Sequence, residues 1–159
     1  MSDVPAENRE LRDLYRELIL DHARSPRHFG ELASATHCAD GVNPLCGDRL
    51  RLYVEILPDG VIGNASFDGA GCAISMASAS LMTDTVIGLD RNTALEYVAT
   101  LVAQLTGSSD ESPAQKIDLG KLRALDGVRE YPSRVKCATL AWHALHSALS
   151  TEMKTATTE

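Results

Sequence analysis

The feature that most constrains how this chain can fold is a strict alternation of apolar and polar residues over positions 49–57. The apolar positions are Leu50, Leu52, Val54 and Ile56. A period of two is typical of a β-strand that buries one face and exposes the other. A sheet built from such a strand needs a second layer of structure to cover its apolar face.

A turn and a returning strand follow directly. Pro58-Asp59-Gly60 is a turn signal, and residues 61–68 have the pattern of a second strand. Residues 33–39 predict a third, weaker strand. The sequence therefore predicts a small three-stranded antiparallel sheet.

Helical periodicity dominates the rest of the chain. Apolar residues recur at helical spacing over about 7–23, 72–88, 93–106, 119–127 and from near 137 to 148. Thr93 and Glu96 fit a capping box at the start of the third helix, and Gly107 is suited to end it. One sheet packed against about five helices makes the predicted fold class α+β.

The length and charge of the chain limit its organisation and its partners. Its 159 residues suit one domain, 1–159, with disordered polar tails at 1–8 and 151–159 and a loop at 108–114. A net charge of −7 argues against general nucleic-acid binding. No segment has the length and apolarity of a membrane span or a signal peptide, so we expect a cytoplasmic protein with reduced thiols.

Three of the four cysteines lie where a predicted loop meets a strand or helix. Cys46, Cys72 and Cys137 could supply three thiolates to a metal, and Asp48 could add an oxygen. Zinc favours four such ligands in a tetrahedron. Cys72 and Cys137 are predicted to begin helices, where free N–H groups stabilise a thiolate. Their spacings match no zinc finger, so buried structural cysteines stay an equal alternative at this point.

Several motifs in one order resemble a known family. They are Leu14-Tyr15-Arg16-Glu17 through Asp21-His22, Ser25-Pro26-Arg27-His28-Phe29-Gly30, Asn43-Pro44-Leu45-Cys46-Gly47-Asp48, Gly69-Ala70-Gly71-Cys72-Ala73-Ile74-Ser75 and Arg134-Val135-Lys136-Cys137-Ala138. Over 14–148 the chain resembles the IscU/NifU N-terminal proteins of iron–sulfur cluster assembly. Lys136, where the IscU branch has histidine, and the long segment 107–132 favour the SUF-type branch, SufU.

The resemblance implies a function, a site and partners. The α+β fold would carry a metal site at one end, with Cys46, Asp48, Cys72 and Cys137 as ligands of Zn²⁺. The chain would act as a zinc-dependent sulfurtransferase, a relay that accepts persulfide sulfur and stimulates its donor. The donor implied is a SufS-type cysteine desulfurase, a pyridoxal-phosphate enzyme, and a downstream cluster scaffold would receive the sulfur. We predict Cys46 as the acceptor because we expect its loop to be the most mobile of the three segments that carry these cysteines.

Other functions and other residue roles stay open. The chain could be a scaffold that carries a transient Fe–S cluster, or a structural zinc module that only binds a partner. A zinc hydrolase is disfavoured, since four protein ligands leave no open position for water. Arg134 and Lys136 are either solvated cations or docking contacts for the partner. Packing is the better interpretation for Cys38 and for the five histidines.

Overall fold

Three antiparallel strands form the sheet in the computed structural model, which describes residues 6–107, 117–150 and 155–157. They are β1 (His37–Asn43), β2 (Asp48–Ile56) and β3 (Ile62–Ala70). β2 lies between β1 and β3 and pairs with both. Its alternation is confirmed from Arg49 to Leu52, where Leu50 and Leu52 are buried and both arginines are exposed, but Tyr53 on the outward face is also buried. The predicted α+β class with an antiparallel sheet is therefore correct.

The first strand lies further along the chain than the prediction of 33–39. β1 turns Ala39, Gly41 and Asn43 inward in alternation. Glycine and asparagine are poor strand formers, so their pattern does not stand out in the sequence. At Gly41, an added Cβ would lie 3.2 Å from the Leu140 side chain, which shows how closely a helix packs here.

The predicted tails differ from the structure in two places. The first helix already includes residues 6–8. A short fourth strand, β4 (Thr155–Thr157), pairs parallel with β1 and extends the sheet to the order β3-β2-β1-β4. The rest of both tails and the predicted loop at 108–114 lie outside the described residues.

The described residues form five helices, as predicted, and two of them, the second and the last, pack on β1–β3 while the others pack against those two. The five helices are α1 (Ala6–Arg24), α2 (Ala73–Val86), α3 (Arg91–Thr106), a 3₁₀ helix (Gly120–Glu130) and α4 (Pro132–Leu149). α4 contacts β1, β2, α2 and α3, which makes it the central helix of the layer. None of the described helices combines the length and apolarity needed to cross a membrane.

Two predicted helix starts are wrong. α3 is capped by Asp90, whose Oδ1 accepts the Thr93 N–H at 2.7 Å, so the capping box predicted at Thr93 is not used. α4 begins at Pro132, which suits a first helical position because it has no N–H to leave unpaired. Cys137 therefore lies in the second turn of α4, not at its N-terminus. The predicted end of α3 is confirmed, since Gly107 adopts φ +71°.

The 3₁₀ helix owes its form to a period of three. Leu122, Leu125 and Val128 recur every third residue and are all buried. Because side chains three apart align in a 3₁₀ helix, this spacing places all three on one side. Their burial anchors the segment between α3 and α4 against the core.

The core lies between the sheet and the helices. Its largest fully buried side chains are Trp142, Phe67, Leu52, Ile62, Leu81, Met82, Leu101, Leu122, Leu125, Leu140, Leu145 and Leu149. Trp142 pairs its one polar atom inside this core, because Nε1–H donates to Ser78 Oγ at 3.0 Å. Only two phenylalanines and one tryptophan occur in the sequence, so aliphatic side chains fill most of the volume.

Candidate metal centre

A tight turn between β1 and β2 brings Cys46 and Asp48 to one end of the sheet. The Asn43 carbonyl accepts the N–H of Cys46 at 3.3 Å and of Gly47 at 2.9 Å. Gly47 adopts φ +72°, a conformation that L side chains rarely take. The turn leaves Cys46 exposed while Asp48, the first residue of β2, has no exposed surface.

The carboxylate of Asp48 is buried against the start of α2. Its Oδ1 accepts the Cys72 N–H at 2.8 Å, and its Oδ2 lies 3.8 Å from Cys72 Sγ. No lysine, arginine or histidine of the described part of the chain forms an ion pair with it. A buried carboxylate without a cationic partner is costly, which makes Asp48 suited to a bound cation.

Cys72 caps α2, as its predicted position at a helix start required. Its Sγ accepts the Ser75 N–H at 3.4 Å, so the sulfur occupies the place of a capping oxygen. The two glycines before it allow close approach of the chain, as expected. A Cβ on Gly69 would lie 2.1 Å from the Arg49 carbonyl, and one on Gly71 would lie 2.8 Å from Asp48 Oδ1.

Cys137 enters the cluster from α4 and is fully buried. Its Sγ lies 3.5 Å from Cys46 Sγ, 3.8 Å from Asn43 Nδ2 and 3.6 Å from the Ser133 carbonyl. Burial, followed by hydrogen bonds with Asp48 and the other two site cysteines, raises the pKa of Cys137. Without a cation the Cys137 thiol therefore keeps its proton, and a bound dication would favour the thiolate instead.

The four side chains together form a candidate metal-binding cluster. One ligand atom each from Cys46, Asp48 and Cys137 lies within 4.8 Å of the others. Cys72 joins this group through its 3.8 Å contact with Asp48. Three sulfurs and one carboxylate oxygen make a donor set that zinc accepts. Three of the four predicted ligands thus form one close group, and the fourth, Cys72, lies beside Asp48 outside that group.

The two predicted docking residues lie beside the cluster on α4. Arg134 is exposed, and its pKa is raised by hydrogen bonding with Cys137 and by the charge of Cys72. It also borders a groove between α1, α2 and the 3₁₀ helix, together with Arg16 and Tyr131. Lys136 is half-buried and has no ion pair within the described residues.

Residues interpreted as packing lie outside the cluster. Cys38 is a half-buried strand residue that pairs with Tyr53 across the sheet. His22 is buried and its Nδ1 lies 2.6 Å from Ser80 Oγ. Burial lowers the pKa of both His22 and His143. No described histidine belongs to the group that could hold a metal.

Asn43 is the residue whose role the motif did not reveal. Its side chain is fully buried, and its Nδ2 lies 3.8 Å from Cys137 Sγ. The signal available in the sequence is its position at the end of a strand directly before the turn that carries Cys46. Nothing in the sequence pairs position 43 with position 137, which is 94 residues away.

Comparison with known proteins identifies a matching family and similar relatives. The family model of the NifU-like N terminal domain matches residues 14–138. The zinc-dependent sulfurtransferase SufU of Bacillus subtilis is 43% identical over 146 residues, which cover 91% of this chain and 95% of that protein. The iron–sulfur cluster assembly scaffold protein IscU of Streptococcus pyogenes serotype M1 is 41% identical, covering 88% and 85% of the two chains.

A solved structure shares the fold. The crystal structure of a putative iron–sulfur cluster assembly scaffold protein for the SUF system, from Fervidobacterium islandicum AW-1, aligns with a TM-score of 0.74 at 32% identity. The alignment covers 84% of this chain and 94% of that one. The predicted architecture is thus confirmed by an experimental relative.

Proposed function

Because this chain belongs to the family of NifU-like N-terminal domains, we propose that it is a zinc-dependent sulfur-transfer protein of iron–sulfur cluster assembly. The observation that carries the proposal is the convergence of Cys46, Asp48 and Cys137 within 4.8 Å, with Cys72 adjoining Asp48. The relative called a zinc-dependent sulfurtransferase covers 91% of the chain, so the whole described fold supports the comparison.

The residues present fit a zinc ion. Cys46, Asp48, Cys72 and Cys137 would hold it, and Asp48 supplies the buried negative charge that no described cationic side chain balances. A bound zinc would keep the sulfurs deprotonated, against the burial that raises the pKa of Cys137.

We assign the sulfur-accepting role to Cys46. It is the exposed sulfur of the cluster, and it sits on a turn, whereas Cys137 is fully buried in a helix. Its thiolate attacks the terminal sulfur of a persulfide on a donor protein. A new S–S bond forms at Cys46 Sγ, the S–S bond of the donor breaks, and the donor cysteine leaves as a thiolate.

The donor in this proposal is a cysteine desulfurase of the SufS type, and a downstream scaffold would take the sulfur. Arg134 and Lys136 present positive charge next to the cluster on a chain whose net charge is −7. Leu45, next to the acceptor, is 72% exposed, and Tyr131 is 60% exposed at the start of α4. Cations beside exposed apolar side chains suit an acidic docking surface on the partner.

One experiment tests the proposal directly. The purified chain is analysed for zinc and then mixed with the desulfurase of the same organism and isotopically labelled cysteine. We expect one zinc per chain, labelled sulfur on Cys46 by mass spectrometry, and faster cysteine turnover by the desulfurase. A zinc-loaded chain that acquires no labelled sulfur at any cysteine would contradict sulfur transfer and leave the structural zinc module.

The scaffold function is a second candidate, because relatives named IscU scaffold proteins are 41% and 40% identical to this chain. Three thiolates and a carboxylate could also ligate a cluster. The two functions predict purified proteins that differ in colour and in the bound metal. A colourless zinc protein that accepts sulfur supports transfer, and a brown iron-loaded form that donates a cluster supports scaffolding.

A further inference from the structure

The three sulfurs of the cluster differ in the N–H groups that point at them. Cys72 Sγ accepts the backbone N–H of Ser75, and Cys137 Sγ is approached by the buried Asn43 amide and by the exposed guanidinium of Arg134. No N–H of the described residues donates to Cys46 Sγ. An N–H donor withdraws electron density from a thiolate and holds it in place, so Cys46 is the sulfur left freest to react and to move.

The orientation of the Asn43 amide follows from its other contact. Its Oδ1 accepts the N–H of Leu45 at 3.3 Å, which leaves Nδ2 as the end that faces Cys137. The side chain has no exposed surface, so its amide cannot be satisfied by bulk solvent. A buried amide of this kind is retained at a cost unless both its ends are paired.

Asn43 also anchors the turn that carries the acceptor. Its carbonyl accepts from Cys46 and Gly47, and its position in β1 pairs with Asp48 in β2. One residue therefore touches both the exposed sulfur's turn and the buried sulfur on α4. It contacts the turn through its backbone and amide oxygen, and it contacts the buried sulfur through its N–H.

We propose that Asn43 is a positioning residue that keeps Cys137 as the permanent metal ligand while Cys46 leaves to accept sulfur. This rests on the sulfur-transfer function proposed above. When Cys46 Sγ bonds to the incoming sulfur, the site retains Asp48, Cys72 and Cys137. The Asn43 N–H holds Cys137 Sγ during that interval. Outer hydrogen-bond partners of metal ligands are typically worth about 10- to 100-fold in metal affinity.

The test compares two asparagines of the same sheet. Asn43→Ala removes the amide at the cluster, and Asn64→Ala removes a half-buried amide near the start of β3, opposite Glu55, whose Oδ1 accepts the neighbouring Ala65 N–H. Asn43→Leu restores the lost volume without an N–H, so a packing defect is separated from a lost donor. Zinc-loaded proteins are exposed to a chelator, and the release rate is followed with and without alkylation of Cys46.

We expect zinc release from both Asn43 variants to be about 10- to 100-fold faster than from wild type or Asn64→Ala, most clearly after Cys46 is alkylated. In the cobalt-substituted proteins, the sulfur-to-metal charge-transfer band should move to lower energy only in the Asn43 variants, because their sulfur has lost an N–H donor. A purely structural role would lower the stability of the apo protein without moving this band.

Two results would overturn the inference. One is a charge-transfer band that stays in place in a folded Asn43→Leu protein. The other is zinc release from both Asn43 variants within about twofold of wild type. Neither readout depends on sulfur transfer, so they test Asn43 even if labelled sulfur never reaches Cys46 in the wild-type chain. That last result would instead contradict the proposed function.

Discussion

The sulfurs of Cys46 and Cys137 lie 3.5 Å apart, yet the two residues differ in secondary structure and in burial. Cys46 lies exposed on a four-residue turn held by two hydrogen bonds to one carbonyl. Cys137 lies in the second turn of α4, fully buried, on the helix that contacts both β1 and β2. The same residue type thus lies on an exposed turn on one side of the cluster and in a buried part of a helix on the other.

This contrast fits a site that would both hold a metal and transfer sulfur. In the proposed sulfur transfer, the ligand that leaves lies on the turn, which is the movable side of the cluster, and the ligands that stay lie on helices and a strand, which are its fixed side. Asp48 belongs to the fixed set, because it pairs with the N-terminus of α2 through the Cys72 N–H. Substitutions on the turn and substitutions on the helices and strands should therefore have different effects.

The largest effect is expected from serine at the two cysteines. Cys46→Ser should abolish sulfur acceptance while the apo fold is unchanged, because its exposed turn makes few packing contacts. Cys137→Ser should lose zinc and the stability that zinc provides, about 2.7 kcal/mol when free zinc is 100-fold above its dissociation constant. Labelled-sulfur transfer and thermal unfolding with and without zinc measure the two losses.

If Cys46→Ser and Cys137→Ser lose zinc and sulfur acceptance to the same extent, the two cysteines do not have different roles. Cys38→Ser is the matched control, because Cys38 is half-buried and lies outside the cluster. It should retain both zinc and sulfur acceptance. A Cys46→Ser protein that still accepts sulfur at the wild-type rate would move the acceptor to another cysteine.

Much of the fixed framework could be predicted from the sequence. The strand β2, the turn after it and the existence of five helices follow from local patterns, and the structure has each of them, although two helices begin earlier than predicted. β1 was displaced because Gly41 and Asn43 face the core without looking like strand residues. The prediction that α4 begins near Cys137 is wrong, because Pro132 is the residue suited to a first helical position.

The residues that form the site could be predicted from the sequence, but the differences in burial and contacts among them could not. The motifs placed Cys46, Asp48, Cys72 and Cys137 in one group, and the structure brings three of them into one close group with Cys72 beside Asp48. Burial of Asp48 and the amide contact of Asn43 depend on residues distant in sequence meeting at one end of the sheet. No periodicity of the sequence encodes such contacts.

Asp48→Ala should weaken the fixed side of the cluster next most strongly. It removes the oxygen ligand and leaves the Cys72 N–H at the start of α2 without its acceptor. An unpaired buried N–H costs about 1–3 kcal/mol of stability, which the fold should survive. We expect sulfur-transfer turnover to fall at least about tenfold, comparable with the loss of other groups that hold a metal site.

Asp48→Asn separates the two roles of this carboxylate. The amide keeps an oxygen for the Cys72 N–H but carries no charge for a cation. It should restore most of the apo stability without restoring zinc affinity, as measured by unfolding of the apo protein and competition with a chelator. Unchanged turnover in both Asp48 variants would remove Asp48 from the ligand set.

Arg134→Ala should have a smaller effect, on docking and not on the cluster. The guanidinium is exposed and sits beside Cys137 and Cys72, so its loss removes positive charge from the surface facing a partner. We expect the concentration that half-maximally stimulates the desulfurase to rise about threefold to tenfold, with zinc content unchanged. Arg91→Ala, at the start of α3, is the control for losing one arginine elsewhere. An unmoved half-maximal concentration would make Arg134 a solvated cation.

The smallest effect is expected from alanine at two glycines that share a backbone conformation. Gly47 in the movable turn has φ +72°, Gly107 at the end of α3 has φ +71°, and a Cβ at either would meet no atom within 4 Å. Each substitution therefore adds only backbone strain, roughly 1–2 kcal/mol. The Gly107→Ala protein should lose that stability and keep its zinc affinity.

Gly47→Ala should behave differently if the turn opens when Cys46 leaves. Opening would relieve the strain, so the variant should hold zinc more weakly and accept sulfur from a small-molecule persulfide slightly faster. Full relief of about 1–2 kcal/mol would change the affinity or the rate by roughly fivefold to 30-fold, since 1.4 kcal/mol corresponds to one factor of ten, and partial relief would change it less. Zinc competition and the rate of Cys46 persulfidation measure both changes. Equal zinc affinity in the Gly47→Ala and Gly107→Ala proteins would mean that the turn keeps its conformation throughout, and that Cys46 is mounted as firmly as Cys137.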